Sequence, residues 1–197
     1  MKYEHEYRRP VANAERFDKL MAKANQLPAA FAVLLVLARH TGHRLSAILG
    51  LKWADIDFTK TDVAPHGSIT WYAGLPIDNK KREHVVPMNK AAHDVLKAWR
   101  GSAIKTGWLF VTNDRPPKQM GKDTPKRWLR KCETLAELDH VKGDGWHAFR
   151  RGWATARKHL PPKDVAAAGG WNDIETMNRC YVHSTEEGIR DAALHIA

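Results

Sequence analysis

Residues 28–57 read PAAFAVLLVLARHTGHRLSAILGLKWADID. The run from Ala29 to Ala38 is almost wholly apolar, so it predicts a helix enclosed on nearly every side rather than one with a solvated face. It is far shorter than the roughly 20 residues that a membrane span needs, and it lies inside the chain. Thr41-Gly42 supplies the stop, because glycine tolerates the backbone reversal that ends a helix. After this sharp turn, RLSAILGL predicts a short second helix whose buried side is formed by Leu45, Ile48, Leu49 and Leu51. Arg44 is therefore expected at a helix start, where the chain changes direction.

Working outward, Asn13 is the expected N-cap of a mixed helical stretch that runs to Leu27. Between Trp53 and Met88, Asp, Thr, Gly and Pro punctuate SITWYA and EHVVPM, which read as antiparallel strands of a small three-stranded sheet. The polar segment Asp78-Asn79-Lys80-Lys81-Arg82 joins two of them, so its basic side chains are expected to project from a hairpin. Helical periodicity resumes from Lys90 to Arg100, followed by a strand-like WLFVT and a proline-rich loop, NDRPPKQMGKD. Thr124-Pro125 predicts an N-cap and a first-turn proline for a helix carrying Lys126, Arg127, Arg130 and Lys131. Further helices are expected from His147 to Leu160, after Pro162, from the Asn172-x-x-Glu175 start, and after Ser184-x-x-Glu187. The fold class is α+β, predominantly helical with a small three-stranded antiparallel sheet.

A chain of 197 residues holds one domain with a sizeable core and leaves little room for a second. We expect a single domain over 1–197, with 1–12 as an extended lead-in. Lys and Arg number 32 against 22 Asp and Glu, a net charge of +10, and the pI is about 9.7. That balance points to a polyanionic partner, nucleic acid before anionic membrane. The two cysteines, Cys132 and Cys180, form neither a disulfide framework nor a zinc spacing, which suits a reducing cytoplasm. The 11 histidines show no HExxH-type spacing, and neither a GxxxxGK[ST] phosphate cradle nor a clustered Asp/Glu set of the metal-nuclease kind is present. Trp53, Trp71, Trp99, Trp128 and Trp153 are expected in the core rather than as base-stacking platforms.

Four features in a fixed order carry the chemical reading: Arg44 after Thr41-Gly42, the Lys80-Lys81 hairpin, His147-Ala148-Phe149-Arg150, and Tyr181. Each alone is common. Together, and with their flanking words, they resemble the tyrosine recombinase family of phage integrases from about Pro28 onward. TGHRLSAILGLKWADID resembles the family's first arginine box, WHAFRRGWATA its second, and AAAGGWNDIETMNRCYVH its closing segment. Ala47 departs from the pattern, standing where the family usually has an acidic residue. Trp171 occupies a position that is histidine in many members and tryptophan in some.

The resemblance implies a catalytic set of Arg44, Lys80, His147, Arg150, Trp171 and Tyr181, with Lys81 as the alternative to Lys80. Trp171 would serve as an indole N–H donor. DNA contacts are expected from Lys81, Arg82, Lys126, Arg127, Arg130, Arg151 and His183. It implies cutting and rejoining of double-stranded DNA at specific recombination sites through a 3′-phosphotyrosyl link, with no cofactor, metal or ATP, and self-assembly as a dimer or tetramer on the DNA. The last helix, from Ser184, would then pack on a neighbouring subunit. The family's amino-terminal core-binding domain is too large to fit in this length. The residue types suit the chemistry: an arginine keeps its charge and binds two phosphate oxygens at once. A phenol with a pKa near 10 needs a base or nearby cations before it attacks. Two rival readings use the same features, a type IB topoisomerase that relaxes supercoils and a catalytically silent DNA-binding relative. An RNA-binding module would require exposed aromatics on an RNP-like strand, and none is evident.

Overall fold

A computed structural model describes residues 10–73, 82–102, 107–140, 143, 145–181, 190 and 193–194. Lys80, Lys81, His183 and the Ser184-x-x-Glu187 cap lie outside the described residues, as does the side chain of Tyr181. Among the described residues the elements are α1 (Ala14–Lys23), α2 (Ala29–Thr41), α3 (Leu45–Leu49), β1 (Ile56–Asp57), β2 (Ser68–Ala73), β3 (Arg82–Pro87), α4 (Lys90–Ser102), α5 (Asp123–Leu135), α6 (Trp146–Thr155), α7 (Pro162–Gly169) and α8 (Ile174–Tyr181). No helix of the described residues is long and apolar enough to cross a membrane.

Helix α2 is the axis of the core. Eight of its residues, from Ala30 to Ala38, are buried, and it packs against α1, α3, α4, α5 and α6. Phe31, Leu34, Leu35 and Leu37 are fully enclosed, each worth roughly 1.5–3 kcal/mol of apolar transfer relative to an exposed position. The helix stops at Gly42, which takes a left-handed φ of 70°. A Cβ there would lie 2.4 Å from the Trp153 ring, so both the backbone and the space require glycine. Arg44 then caps α3 with its carbonyl accepting from Ala47 N and Ile48 N at 2.9 and 3.1 Å. The expected turn and helix start are therefore both present.

The sheet is antiparallel in the order β1-β2-β3, with Trp71 opposite His84 and Ala73 opposite Arg82. A smaller apolar cluster of Trp153, Val165, Ala166, Trp171 and Met177 seats α7 and α8 on α6.

Four sequence expectations shift. Residues 108–112 make no strand; the segment forms two isolated bridges, Lys52 with Trp108 and Val111 with Gln119, and hydrogen-bonds only briefly to 51–53 on one side and 118–120 on the other. Helix α5 starts one residue before the expected Thr124 cap, with Lys122 at its N-cap. Helix α6 ends at Thr155 rather than Leu160. At α8 the capping side chain is Asp173, which accepts from Glu175 N and Thr176 N at 3.0 and 2.9 Å, so the register lies one residue beyond Asn172. Asn13 caps α1 as expected, accepting from Arg16 N at 2.9 Å.

Because α2 touches five other helices, truncating its centre should be felt globally. Leu35→Ala is expected to lower the unfolding free energy by about 2–5 kcal/mol, measured by urea denaturation, while the exposed Val63→Ala should leave it unchanged.

Candidate functional site

Two helix ends and one helix start meet around the N-terminal half of α6. Arg150, on α6, is 1% exposed. Its Nη1 donates to Gly42 O, at the end of α2, and to Gly169 O, at the end of α7, both at 2.5 Å. Its Nη2 donates to Gly170 O at 3.3 Å. The last carbonyls of a helix carry the negative end of its dipole, so two such ends suit a buried cation. The Trp171 ring closes the cage, with the guanidinium carbon 3.4 Å from its centroid, and Trp171 in turn stacks on Trp153 at 5.8 Å. Gly170 takes a left-handed φ of 68°, which turns the chain from α7 into this stack.

A cleft of about 580 Å³ has walls that include Arg44, Lys122, Lys126, Arg130 and His147. Arg44 is exposed there, and so is an edge of His147. Partial enclosure, and then the charges of Arg151, Arg150, Arg44 and Lys122, hold the His147 pKa below the usual imidazole value. At neutral pH the ring is uncharged and offers a lone pair to a proton. Helix α8 docks against α6 and α7 through the buried Met177 and ends at Tyr181. Arg44, His147 and Arg150 thus belong to one neighbourhood, and the helix that carries Tyr181 is packed beside it.

The phage integrase family model matches residues 11–187. The chain belongs to that family. Among curated relatives, the integrase of Salmonella phage P22 is 28% identical over 169 residues, covering 81% of this chain and 40% of that protein. The prophage integrase IntF of Escherichia coli (strain K12) is 25% identical over 143 residues, covering 71% of this chain and 26% of that protein. The chain therefore spans less than half the length of either. Among solved structures, XerA recombinase superposes with a TM-score of 0.73 at 19% identity, covering 95% of this chain and 65% of that one. A lambda integrase dimer bound to a COC′ core site gives 0.68 at 17% identity, covering 93% and 62%. At these identities the superpositions show the shared fold.

Within this integrase fold the remaining predicted site residues fall into distinct groups. Lys126 and Arg130 line the cleft with Lys122, and their spacing of four residues places them on one face of α5. Arg127 is exposed on the same helix, with its Nη2 3.4 Å from Thr124 Oγ1, and is not among the lining residues. Arg82 pairs with Ala73 in the sheet.

Arg151 departs from its expected role as a DNA contact. It is 4% exposed, donating from Nε to Pro10 O at 2.5 Å and from Nη2 to Gly143 O at 2.6 Å, so it fastens the segment before α1 to the wall of the cleft. Trp171 is buried, with the Arg150 guanidinium carbon 3.4 Å from its ring centroid, where the αL turn at Gly170 leads the chain.

Sequence reading missed Lys122, whose loop position hid that it continues the α5 basic stripe, and Glu133. That carboxylate is 2% exposed and accepts from Arg16 Nη2 at 2.7 Å and Arg130 Nη1 at 2.6 Å. It orients Arg130 on the cleft wall. A lone Glu on a basic helix carries no spacing signal that marks this role.

The two arginines should separate in mutagenesis. Arg44→Ala is expected to leave urea unfolding unchanged, whereas Arg150→Ala, which strips donors from three carbonyls, should cost at least about 2–3 kcal/mol of stability.

Proposed function

We propose that this chain is the catalytic domain of a tyrosine site-specific recombinase, cutting and rejoining double-stranded DNA at defined sites through a covalent bond to Tyr181. The observation that carries the reading is that Arg44 and His147 line one basic cleft, with the buried Arg150 close enough to bias the charge of His147 and α8 docked alongside. Solved relatives in the same fold include XerH site-specific recombinase bound to a palindromic difH substrate in a post-cleavage complex, at a TM-score of 0.70 and 22% identity, covering 93% of this chain and 52% of that one. The lambda integrase dimer on its core site supports self-assembly on DNA as part of the proposal. The DNA would be that of a bacterial nucleoid or an infecting phage, met in the cytoplasm.

In the proposed reaction Tyr181 Oη attacks phosphorus, the Tyr–O–P bond forms and the P–O5′ bond breaks. His147 takes the phenolic proton. Arg44 and Arg150 offset the charge that builds on the nonbridging oxygens, a contribution of about 2.7–4 kcal/mol for a single preorganised donor. The departing O5′ needs a proton, which Lys80, or alternatively Lys81, supplies as general acid. Trp171 holds the Arg150 plane. Lys122, Lys126 and Arg130 grip neighbouring phosphates in a salt-dependent manner. The 3′-phosphotyrosyl link conserves the bond energy, so a 5′ hydroxyl from a second strand reverses the step, and neither ATP nor a metal enters the balance.

Incubation with nicked duplexes carrying candidate sites should trap a protein–DNA adduct that survives denaturation, is absent in Tyr181→Phe, and falls roughly 10²–10³-fold in rate in Arg44→Ala. An adduct of undiminished yield in Tyr181→Phe would overturn the assignment. The second-order rate of adduct formation reports the free protein. It should rise with pH along a limb centred below the ordinary histidine value of about 6.5, because the depressed His147 pKa keeps the base neutral further into acid. His147→Gln should abolish that limb, and a limb that survives the substitution would place the base elsewhere.

A further inference from the structure

A strap of chain, residues 10–13, lies directly against α6. Ala12 is fully buried; its N–H donates to Ala148 O at 3.0 Å, and its carbonyl accepts from Arg39 Nη1 at 3.5 Å. The approach is so close that a Cβ on Gly152 would stand 2.2 Å from Ala12 O, which is backbone and held in place. Pro10 O accepts from Arg151 Nε at 2.5 Å, and Gly143 O accepts from Arg151 Nη2 at 2.6 Å. Gly143 lines the basic cleft together with Gly145, Trp146 and His147. One guanidinium therefore joins the strap to the cleft wall where α6 begins.

The same guanidinium is set beside His147. The two residues are four apart on α6, so their side chains share one face. Arg151 is 4% exposed and cannot swing away without giving up both carbonyls. A charge this little hydrated acts on its neighbour with less screening than one in open solvent. Enclosure first, and then Arg151 ahead of Arg150, Arg44 and Lys122, holds the His147 pKa below the usual imidazole value. The other charged groups that line the cleft with His147 are Lys126 and Arg130 of α5, which are cations too.

We propose that Arg151 is a positioning residue: by clamping the strap at Pro10 to the wall at Gly143, it fixes His147 at the cleft and keeps that ring available as a base. The inference deepens the recombinase reading, and its kinetic consequences rest on that reading. Arg151 then acts through His147 and not as a contact to DNA.

The test follows the His147 ring directly. The imidazole Cε1 proton signal that vanishes in His147→Gln is titrated by NMR, free of DNA, in the unaltered chain, Arg151→Lys and Arg151→Gln. Lysine keeps the charge but lacks the planar fork that meets two carbonyls at once; glutamine keeps an N–H donor and loses the charge. The midpoint should stay in place in Arg151→Lys and rise toward the ordinary value of about 6.5 in Arg151→Gln, and the pH limb of adduct formation should move with it. Above that limb both variants should form adduct about tenfold or more slowly, since an ångström of misplacement costs roughly 100-fold. The dependence of DNA affinity on salt should be the same in all three, whereas loss of a phosphate contact would reduce its slope by about one. An unmoved midpoint in Arg151→Gln, a lysine variant as fast as the unaltered chain, or a reduced salt slope would each overturn the role. If the glutamine variant does not fold, the lysine rate and salt slope still decide. Absence of any adduct from the unaltered chain would instead sink the recombinase reading, while the NMR titration would still report on the Arg151–His147 pair.

Discussion

A guanidinium taken out of water must be met by acceptors fixed in advance, and in this fold Arg150 imposes that requirement on three segments at once. Desolvating such an ion costs several kcal/mol. Here the return comes from the Gly42, Gly169 and Gly170 carbonyls and from the face of Trp171. Each of those partners fixes more than itself. Gly42 must end α2 where the Trp153 ring leaves room for nothing larger than hydrogen, and Trp153 Nε1 donates to His40 O, two residues earlier, at 3.1 Å. Gly170 must reverse the chain so that Trp171 lies over α6. The relative placement of α2, α6 and α7, and through Met177 that of α8, follows from satisfying one side chain.

The family's usual acidic residue in the first arginine box is Ala47 in this chain, partly buried against the core. With alanine at that position, helix-terminal dipoles are a prominent compensation for Arg150. Dipoles stabilise a buried cation without binding it as an ion pair, so they leave its charge less neutralised toward an incoming phosphate. The buried carboxylate of Glu133, next to the cleft wall, lies between Arg16 and Arg130 and steers the outer rim instead. Charge is thus tuned differently in the two layers: held by neutral carbonyls at the cage, and by a shared buried carboxylate at the edge.

Much of this was legible in residues 28–57. An apolar run with no polar face can only be an interior helix, Thr41-Gly42 can only be its end, and Arg44 follows as the cap of α3. The sheet was equally readable, because SITWYA and EHVVPM alternate and are bounded by turn residues. What escaped was set by tertiary context. WLFVT has strand composition, yet composition does not supply a neighbour, and only bridges form. Arg150 and Arg151 are adjacent and chemically identical in the sequence. The helical step of about 100° per residue sends one into the cage and the other toward Pro10 O and Gly143 O. Nothing in a single sequence distinguishes those two directions.

The difference in exposure between the two arginines also orders their parts in the proposed reaction. Three of the five N–H groups of Arg150 already serve backbone carbonyls, so its contribution to a bound phosphate comes from a charge that is rigidly placed and little hydrated. Arg44 is exposed at the first turn of α3, where the positive end of that helix adds to its own field. In that reaction an arriving phosphate therefore meets the exposed Arg44 first, across water, while Arg150, 1% exposed, acts from behind the cleft wall. A donor that does not reorganise as charge develops stabilises a transition state more than one that must first be drawn out of solvent. On that argument Arg44 captures and Arg150 discriminates, and the carbonyl cage, by denying Arg150 any other orientation, keeps the second role separate from the first.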